Sequence, residues 1–370
     1  MGLLEELGVA PVINAAGKLT ALGGSALDEA AIAAMAEAAR SHVDLVALRR
    51  AAGAEIARLA GAEAATVTAG ASASLVMAVA GCIAGSDGAA IARLPESDGL
   101  ANRVPVQPGH LVDFGAPIAQ MIRLGGGRPL PVGSVNNVRP RDLEAAIEAG
   151  SVGCALFVVS HHCVQVNGLP LDGWLEICRA RGVPVVVDAA AEEDLRRYLD
   201  AGADLVAYSG GKAFAGPTSG ILLGRADLVA AADAQFAGVA RPMKVGKEDI
   251  LGLVAAVRAY LCRDGAAERQ RQGDLLAAIR TAAGELPGIA LRTVQDEAGR
   301  PIERLGLVTT PERARALAGA LAAGSPSIRT RTHHVAEGVL LIDPRALTLA
   351  EATLIGRRLA ELAGGAAGHG

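Results

Sequence analysis

Short apolar runs alternate with amphipathic stretches between residues 154 and 223. Residues 154–160, 184–188 and 203–209 are almost uninterrupted apolar runs, as expected of strands buried on both faces of a mostly parallel sheet. Residues 171–181 and 192–201 between them carry helical spacing and end near Gly182 and Gly202, so the crossovers have the length of βα units. Upstream, residues 64–68 predict a short strand and 71–84 a helix, joined by a small-residue turn at Gly70. Further helices are expected over 26–39 and 44–60.

The pattern changes after Gly246. Two successive helices are expected over 247–263 and 266–284, then strand-like pieces at 305–309 and 339–342 and a helix over 349–362. We read an α/β chain with an N-terminal arm (1–40), a large domain (41–245) and a smaller α+β domain (246–370). The large domain should hold a mostly parallel, seven-stranded-type sheet sandwiched by helices. The Gly- and Ala-rich residues 364–370 should fray.

Composition narrows the class. Apolar residues reach 51% but aromatics only 2%, so Ala, Val, Leu and Ile must fill the interior and helices must pack closely. Gly, Pro or charge breaks every apolar stretch before the roughly 18 residues a membrane span needs, and no secretory signal pattern opens the chain. A cytoplasmic protein without membrane contact is expected. The five cysteines are scattered without a C-x-x-C pair, and no residue set has metal-ligand spacing. A net charge of -4 with interspersed signs argues against nucleic acid as a partner.

The strongest chemistry lies at two strand ends. Asp188 closes one buried run, and Lys212 follows the next in Ser209-Gly-Gly-Lys212. In a parallel sheet both emerge at the carboxyl edge, where α/β proteins bind ligands. A lone aspartate at a strand end is usually a cap and a lone lysine after two glycines is usually solvated; the combination is rarer. Together they suit pyridoxal phosphate, which needs a carboxylate opposite its ring nitrogen and a lysine to hold its aldehyde as a Schiff base. The turn Gly70-Ala71-Ser72 at a helix start offers N–H groups and a hydroxyl for the phosphate, and Ser209 offers a second hydroxyl. Small residues are so common here that the turn alone carries little weight.

The segments 12–18 (VINAAGK), 93–102 (RLPESDGLAN), 160–165 (SHHCVQ), 188–195 (DAAAEEDL) and 208–219 (YSGGKAFAGPTS) resemble pyridoxal-phosphate enzymes of the aspartate-aminotransferase fold, fold type I. Within it they resemble the branch of D-glucosaminate-6-phosphate ammonia-lyase and bacterial selenocysteine synthase, and the histidine and Arg93 segments look more like the ammonia-lyase side. The resemblance implies that Lys212 carries the cofactor, that Asp188 pairs with its ring nitrogen, and that Ala71, Ser72 and Ser209 surround its phosphate. It also implies a homodimer or larger ring with active sites formed between subunits.

His161 and His162 follow a buried run, so one of them should face the site, to stack on the ring or move a proton. Arg331, in a segment that looks like the corresponding family stretch, suits bidentate recognition of a substrate carboxylate. Arg93, Asn14, Lys18 and Arg123 are weaker candidates for a polar or phosphorylated substrate tail. The expected reaction is α,β-elimination on a hydroxylated amino acid such as D-glucosaminate 6-phosphate, giving ammonia and a 2-keto-3-deoxy acid. A racemase or epimerase using the same carbanion is the first alternative. Selenium transfer to an aminoacyl-tRNA and a non-catalytic cofactor-binding protein stand behind it, the former lacking a basic patch and an added tRNA-binding domain.

Overall fold

The computed structural model describes residues 2–160, 162–296 and 300–365. His161, one of the two expected catalytic histidines, lies outside the described residues. In chain order the strands are β1 (Ile13–Ala15), β2 (Ala64–Thr68), β3 (Arg103–Val106), β4 (Arg128–Pro131), β5 (Ala155–Val158), β6 (Val185–Asp188), β7 (Leu205–Ser209), β8 (Gly220–Gly224), β9 (Ala290–Gln295), β10 (Glu303–Val308), β11 (Ile328–Thr330) and β12 (Val339–Ile342). The chain divides into two compact units, residues 27–261 and residues 1–26 with 262–370.

The larger unit is built on the sheet β2-β8-β7-β6-β5. A parallel bridge between Arg103 and Val152 continues it to the parallel pair β3-β4, so seven strands run side by side. Only β8 opposes the others. The fold is therefore the mostly parallel α/β sheet the apolar runs predict. Side chains alternate between its faces. Val185, Val187, Val206, Tyr208, Ile221 and Leu223 meet one core with Trp174 and Leu253. Val186, Leu205, Ala207 and Leu222 meet a second core built around the helix Ala71–Ala84. That helix is buried on nearly all sides, and Gly81 lets it approach Ala232, since a Cβ there would stand 2.7 Å from the Ala232 nitrogen. Close backbone approach replaces the missing aromatics.

Two expectations shift. Residues 192–201 form only a one-turn helix, Arg197–Asp200. Side-chain bonds hold the preceding residues out of a helix: the Tyr198 hydroxyl donates to Glu192 (2.9 Å), the Tyr208 hydroxyl of β7 donates to the Asp194 carbonyl (2.7 Å), and the Asp194 carboxylate accepts locally from the Arg196 and Arg197 N–H groups. The helix Lys247–Leu261 packs on Glu29–Ala39 and Leu45–Ala60. The larger unit thus extends to residue 261, beyond the expected change at 246, and takes in the helix Glu29–Ala39 that the sequence placed with an N-terminal arm.

In the other unit, the antiparallel strands β9-β10-β12 and the parallel pair β1-β11 cover helices Gly265–Ala283, Pro311–Ala323 and Leu349–Gly365. Leu305, Leu307, Leu340 and Ile342 point into that core. Arg304 and Asp343 alternate to the opposite face.

Candidate active site

Strand parity assembles the larger unit's site. Asp188 alternates with Val186, and Ser209 with Leu205 and Ala207, so both face the side covered by the helix Ala71–Ala84. Thr68, opposite in parity to Val67, faces the same way. Thr68 and Ser209 both pair with Gly220. Asp188, Ser209 and the start of that helix therefore share one face at one edge of the sheet.

The helix start is shaped by residues the sequence reading missed. The Gly70 carbonyl accepts from the Ser74 N–H (2.9 Å) and has the Thr68 (3.0 Å) and Ser74 (3.3 Å) hydroxyl oxygens within reach; these lie 2.8 Å apart, so one hydroxyl donates to the other while its partner donates to the carbonyl. In a trans peptide the following N–H points the opposite way, so pinning this carbonyl inward turns the Ala71 N–H outward. No side chain caps the helix, and the positive end of its dipole opens on the site. A Cβ on Gly70 would meet only Ser72 Oγ, at 3.9 Å, whereas one on Gly220 would lie 2.4 Å from the Gly70 carbonyl carbon and from Thr68 Oγ1. Gly220 is thus required by close approach. The alternation of Thr66 and Thr68 against Val67 was the one signal that could have marked this wall.

Asp188 is buried, 7% exposed, and accepts from the Ala190 N–H at 3.1 Å. Burial pushes its carboxyl up to about 6, although the Ala190 N–H and the positive charge of Lys212 oppose the rise. A buried carboxylate in this condition gains from a cationic partner. Lys212 stands on the turn after β7, its N–H 3.5 Å from the Ser209 carbonyl. The turn is tightly built: a Cβ on Gly210 would strike Ser219 Oγ at 2.2 Å, and Ala215 adopts φ +53°. A left-handed alanine costs about 1 kcal/mol or more, so the turn conformation is imposed by its surroundings.

His162 is exposed, and its N–H bonds Ser160 Oγ at 3.2 Å. Its neighbour Cys163 feels the charge of Asp188. Burial, then the Asp188 charge, push that thiol up to about 12, so it stays neutral. His110, also unforeseen, lies beyond the end of β3, with its Nδ1 accepting the Val158 N–H at 3.1 Å and its ring edge-on to Phe157 at 4.5 Å. Burial lowers it to about 4, so it is a neutral structural imidazole.

Arg93 does not join this group within the larger unit. Its guanidinium donates to the Asp98 carbonyl (3.2 Å), and Asp98 pairs with Arg128 at the start of β4, the opposite edge of the sheet. Asn14, Lys18 and Arg331 all belong to the other unit. There β1 runs beside β11, with Asn14 opposite Arg329. Asn14 spends its amide on its own turn, donating to the Gly17 carbonyl (3.0 Å) and accepting from the Ala16 N–H (3.1 Å). Lys18 is half-buried. Arg331 is buried and bridges Leu341 on the face that carries Asp343. That face holds an ionic network. Arg304 reaches Asp343 (2.9 Å) and Asp296 (2.6 Å), Arg345 reaches Asp343 (2.8 Å), and Arg300 reaches Asp296 (2.8 Å).

A family model described as L-seryl-tRNA selenium transferase, SelA, matches residues 12–282. The chain belongs to the SelA family. It is 45% identical over 367 residues to a 5'-C-glycyluridine monooxygenase-decarboxylase from a Streptomyces species, covering 97% of this chain and 91% of the relative. It is 41% identical over 369 residues to the D-glucosaminate-6-phosphate ammonia lyase of Salmonella typhimurium (strain 14028s / SGSC 2262), covering 98% of each. A solved structure of D-glucosaminate-6-phosphate ammonia-lyase superposes with a TM-score of 0.90 at 40% identity over 99% of both chains. The SelA-family fold seen here is that of the fold type I pyridoxal-phosphate enzymes. The resemblance in the Asp188 and Lys212 segments is thereby extended to the whole chain.

Proposed function

We propose that this protein is a pyridoxal-phosphate-dependent ammonia-lyase acting on a small β-hydroxy-α-amino acid, with D-glucosaminate 6-phosphate or a close relative as substrate. One observation carries the reading: the buried Asp188 carboxylate, the Lys212 turn and the uncapped helix at Gly70–Ser72 meet on one face of one sheet edge. These residues fit the cofactor. The N–H groups of Ala71 and Ser72, with the Ser72 and Ser209 hydroxyls, suit its phosphate. Asp188 suits its ring nitrogen, because a protonated pyridine supplies the cation that this carboxylate gains from.

When bound, the cofactor supplies an electron-withdrawing ring to the substrate's α-carbon. Lys212 moves the protons: it takes one from Cα as the β-hydroxyl departs and returns one to the carbon framework. Asp188 keeps the ring charged throughout. Water is lost across Cα–Cβ and regained as ammonia leaves, so the reaction needs no oxidant. His162 stands at the same sheet edge as a further proton carrier. For the substrate carboxylate we retain Arg331, with Asn14 shaping the neighbouring turn and Lys18 following it.

The 45% identical relative favours a second reading, oxidative decarboxylation of an amino acid. The two are separable, since elimination yields ammonia and a keto acid without oxygen, whereas the alternative consumes oxygen and releases carbon dioxide. Anaerobic turnover to ammonia supports the first, and strict oxygen dependence overturns it. Borohydride reduction of the loaded protein followed by peptide mapping tests the site itself. The label should sit on Lys212 and vanish in Lys212→Ala; a label on Lys18 or Lys244 would refute the assignment.

We further propose a homodimer or larger assembly. Its support is a set of exposed valines, Val135, Val164 and Val166, on loops joined through Gln165 to Ser134 and Asn167 to Asn136. Sedimentation of the full chain tests it, and a monomer at micromolar concentration would refute it. No helix among the described residues is long and apolar enough to cross a membrane.

A further inference from the structure

A second polar cleft lies at the opposite edge of the larger unit's sheet, where β3 and β4 begin. Its volume is about 480 Å³, and its walls include Asp98, Arg103, Arg128, Ser151, Leu100 and Leu130. The strands that start here end at the Asp188 edge about 10 Å away, at roughly 3.3 Å per residue, so this cleft is separate from the site described above.

Its charge is unbalanced. Arg128 pairs with Asp98, and Arg93 donates to the Asp98 carbonyl. Arg103 donates to the Gly150 carbonyl at 3.2 Å and meets no carboxylate among the described residues. Two guanidiniums, Arg103 and Arg128, therefore line the cleft against one lining carboxylate, with Arg93 bonded to the Asp98 backbone beside it. Arg103 is also held in place, because its N–H bonds the Ser151 carbonyl (2.8 Å) and its carbonyl accepts from the Gly153 N–H (3.0 Å). Ser151 sits at φ +58°, a conformation that costs a serine about 1 kcal/mol or more, and its hydroxyl has no hydrogen-bond partner among the described residues. A strained backbone, an open hydroxyl and a fixed unneutralised arginine coincide at one cavity.

We propose that this cleft binds a small phosphorylated organic anion. Guanidinium forks match phosphate oxygens in pairs, the Ser151 hydroxyl adds a donor, and Leu100 and Leu130 give an apolar wall to a compact organic body. The volume falls within the range of small-ligand sites, about 300–1,000 Å³, and exceeds what bare phosphate fills.

Titration calorimetry of the full chain loaded with pyridoxal phosphate tests this, with glucose 6-phosphate, inorganic phosphate and glucose as probes. Glucose 6-phosphate should bind saturably, inorganic phosphate at least tenfold more weakly, and glucose not at all. Arg103→Gln should weaken glucose 6-phosphate binding at least tenfold. If Arg103→Gln fails to fold, Arg128→Gln, at an exposed side chain, decides with a severalfold loss. Absence of saturable binding at millimolar concentration overturns the proposal. So does binding that survives both arginine substitutions, since the anion would then occupy the other edge.

Discussion

Replacing Asp188 with asparagine removes a buried charge while keeping an oxygen for the Ala190 N–H. In the cofactor-free chain the Asp188 carboxyl is held near 6 instead of its ordinary 3.8. Across that window the folded state binds more protons than the unfolded state. The carboxyl's contribution to stability is therefore fully present below about pH 4 and is lost as pH rises through about 6. At roughly 1.4 kcal/mol per unit, a shift of about two units corresponds to about 3 kcal/mol. Asp188→Asn has no such loss. Urea unfolding of both cofactor-free proteins at pH 4, 5, 6 and 7 should show their stabilities diverging by up to about 3 kcal/mol in favour of the variant, while the loaded variant loses turnover. Titrations elsewhere cancel in the difference. Parallel pH dependences would refute the reasoning, because they would mean that Asp188 is solvated where the structure has it buried.

Asp343→Asn should cost about 3–5 kcal/mol in urea unfolding at pH 7, because it strands Arg345 without a counter-charge and leaves the buried Arg304 with Asp296 alone. Burial alone would raise the Asp343 carboxyl, but Arg345 and Arg304 override it and hold it down at about 2; its stabilisation should thus persist above pH 4 and fade as pH falls toward 2. A near-neutral substitution would contradict the network. Gly220→Ala, whose Cβ meets backbone at 2.4 Å, should lower pyridoxal-phosphate affinity at least tenfold by displacing the helix start. Gly211→Ala, with no neighbour closer than 3.6 Å, should bind the cofactor normally, and equal behaviour of the two would refute the close-approach account. Lys212→Ala and Arg103→Gln carry the tests given above.

The loop after β6 shows why part of the fold escaped the sequence. Helical spacing over 192–201 was real, but Tyr198, Tyr208 and Asp194 bind the segment's polar groups outside a helix. The Tyr208 bond comes from the neighbouring strand β7, so local periodicity cannot report it. Strands β3 and β4, short and interrupted by Pro105, Pro129 and Pro131, gave no clean apolar run and were found only through their pairing.

Asp188 and Lys212 were legible because strand ends are marked by local pattern and parallel strands share a carboxyl edge. The turn proposed for the phosphate was legible as a small-residue helix start. Tertiary structure alone decided that Thr68, Ser74 and Gly220 fix the Gly70 peptide, that Cys163 feels the Asp188 charge, and that Arg93 sits at the far edge. It alone gathered Arg304, Asp343 and Arg345 from distant positions. The division has a physical reason. Alternation and strand direction are written into neighbouring residues, whereas close approach, burial and charge compensation arise only between segments that the fold brings together.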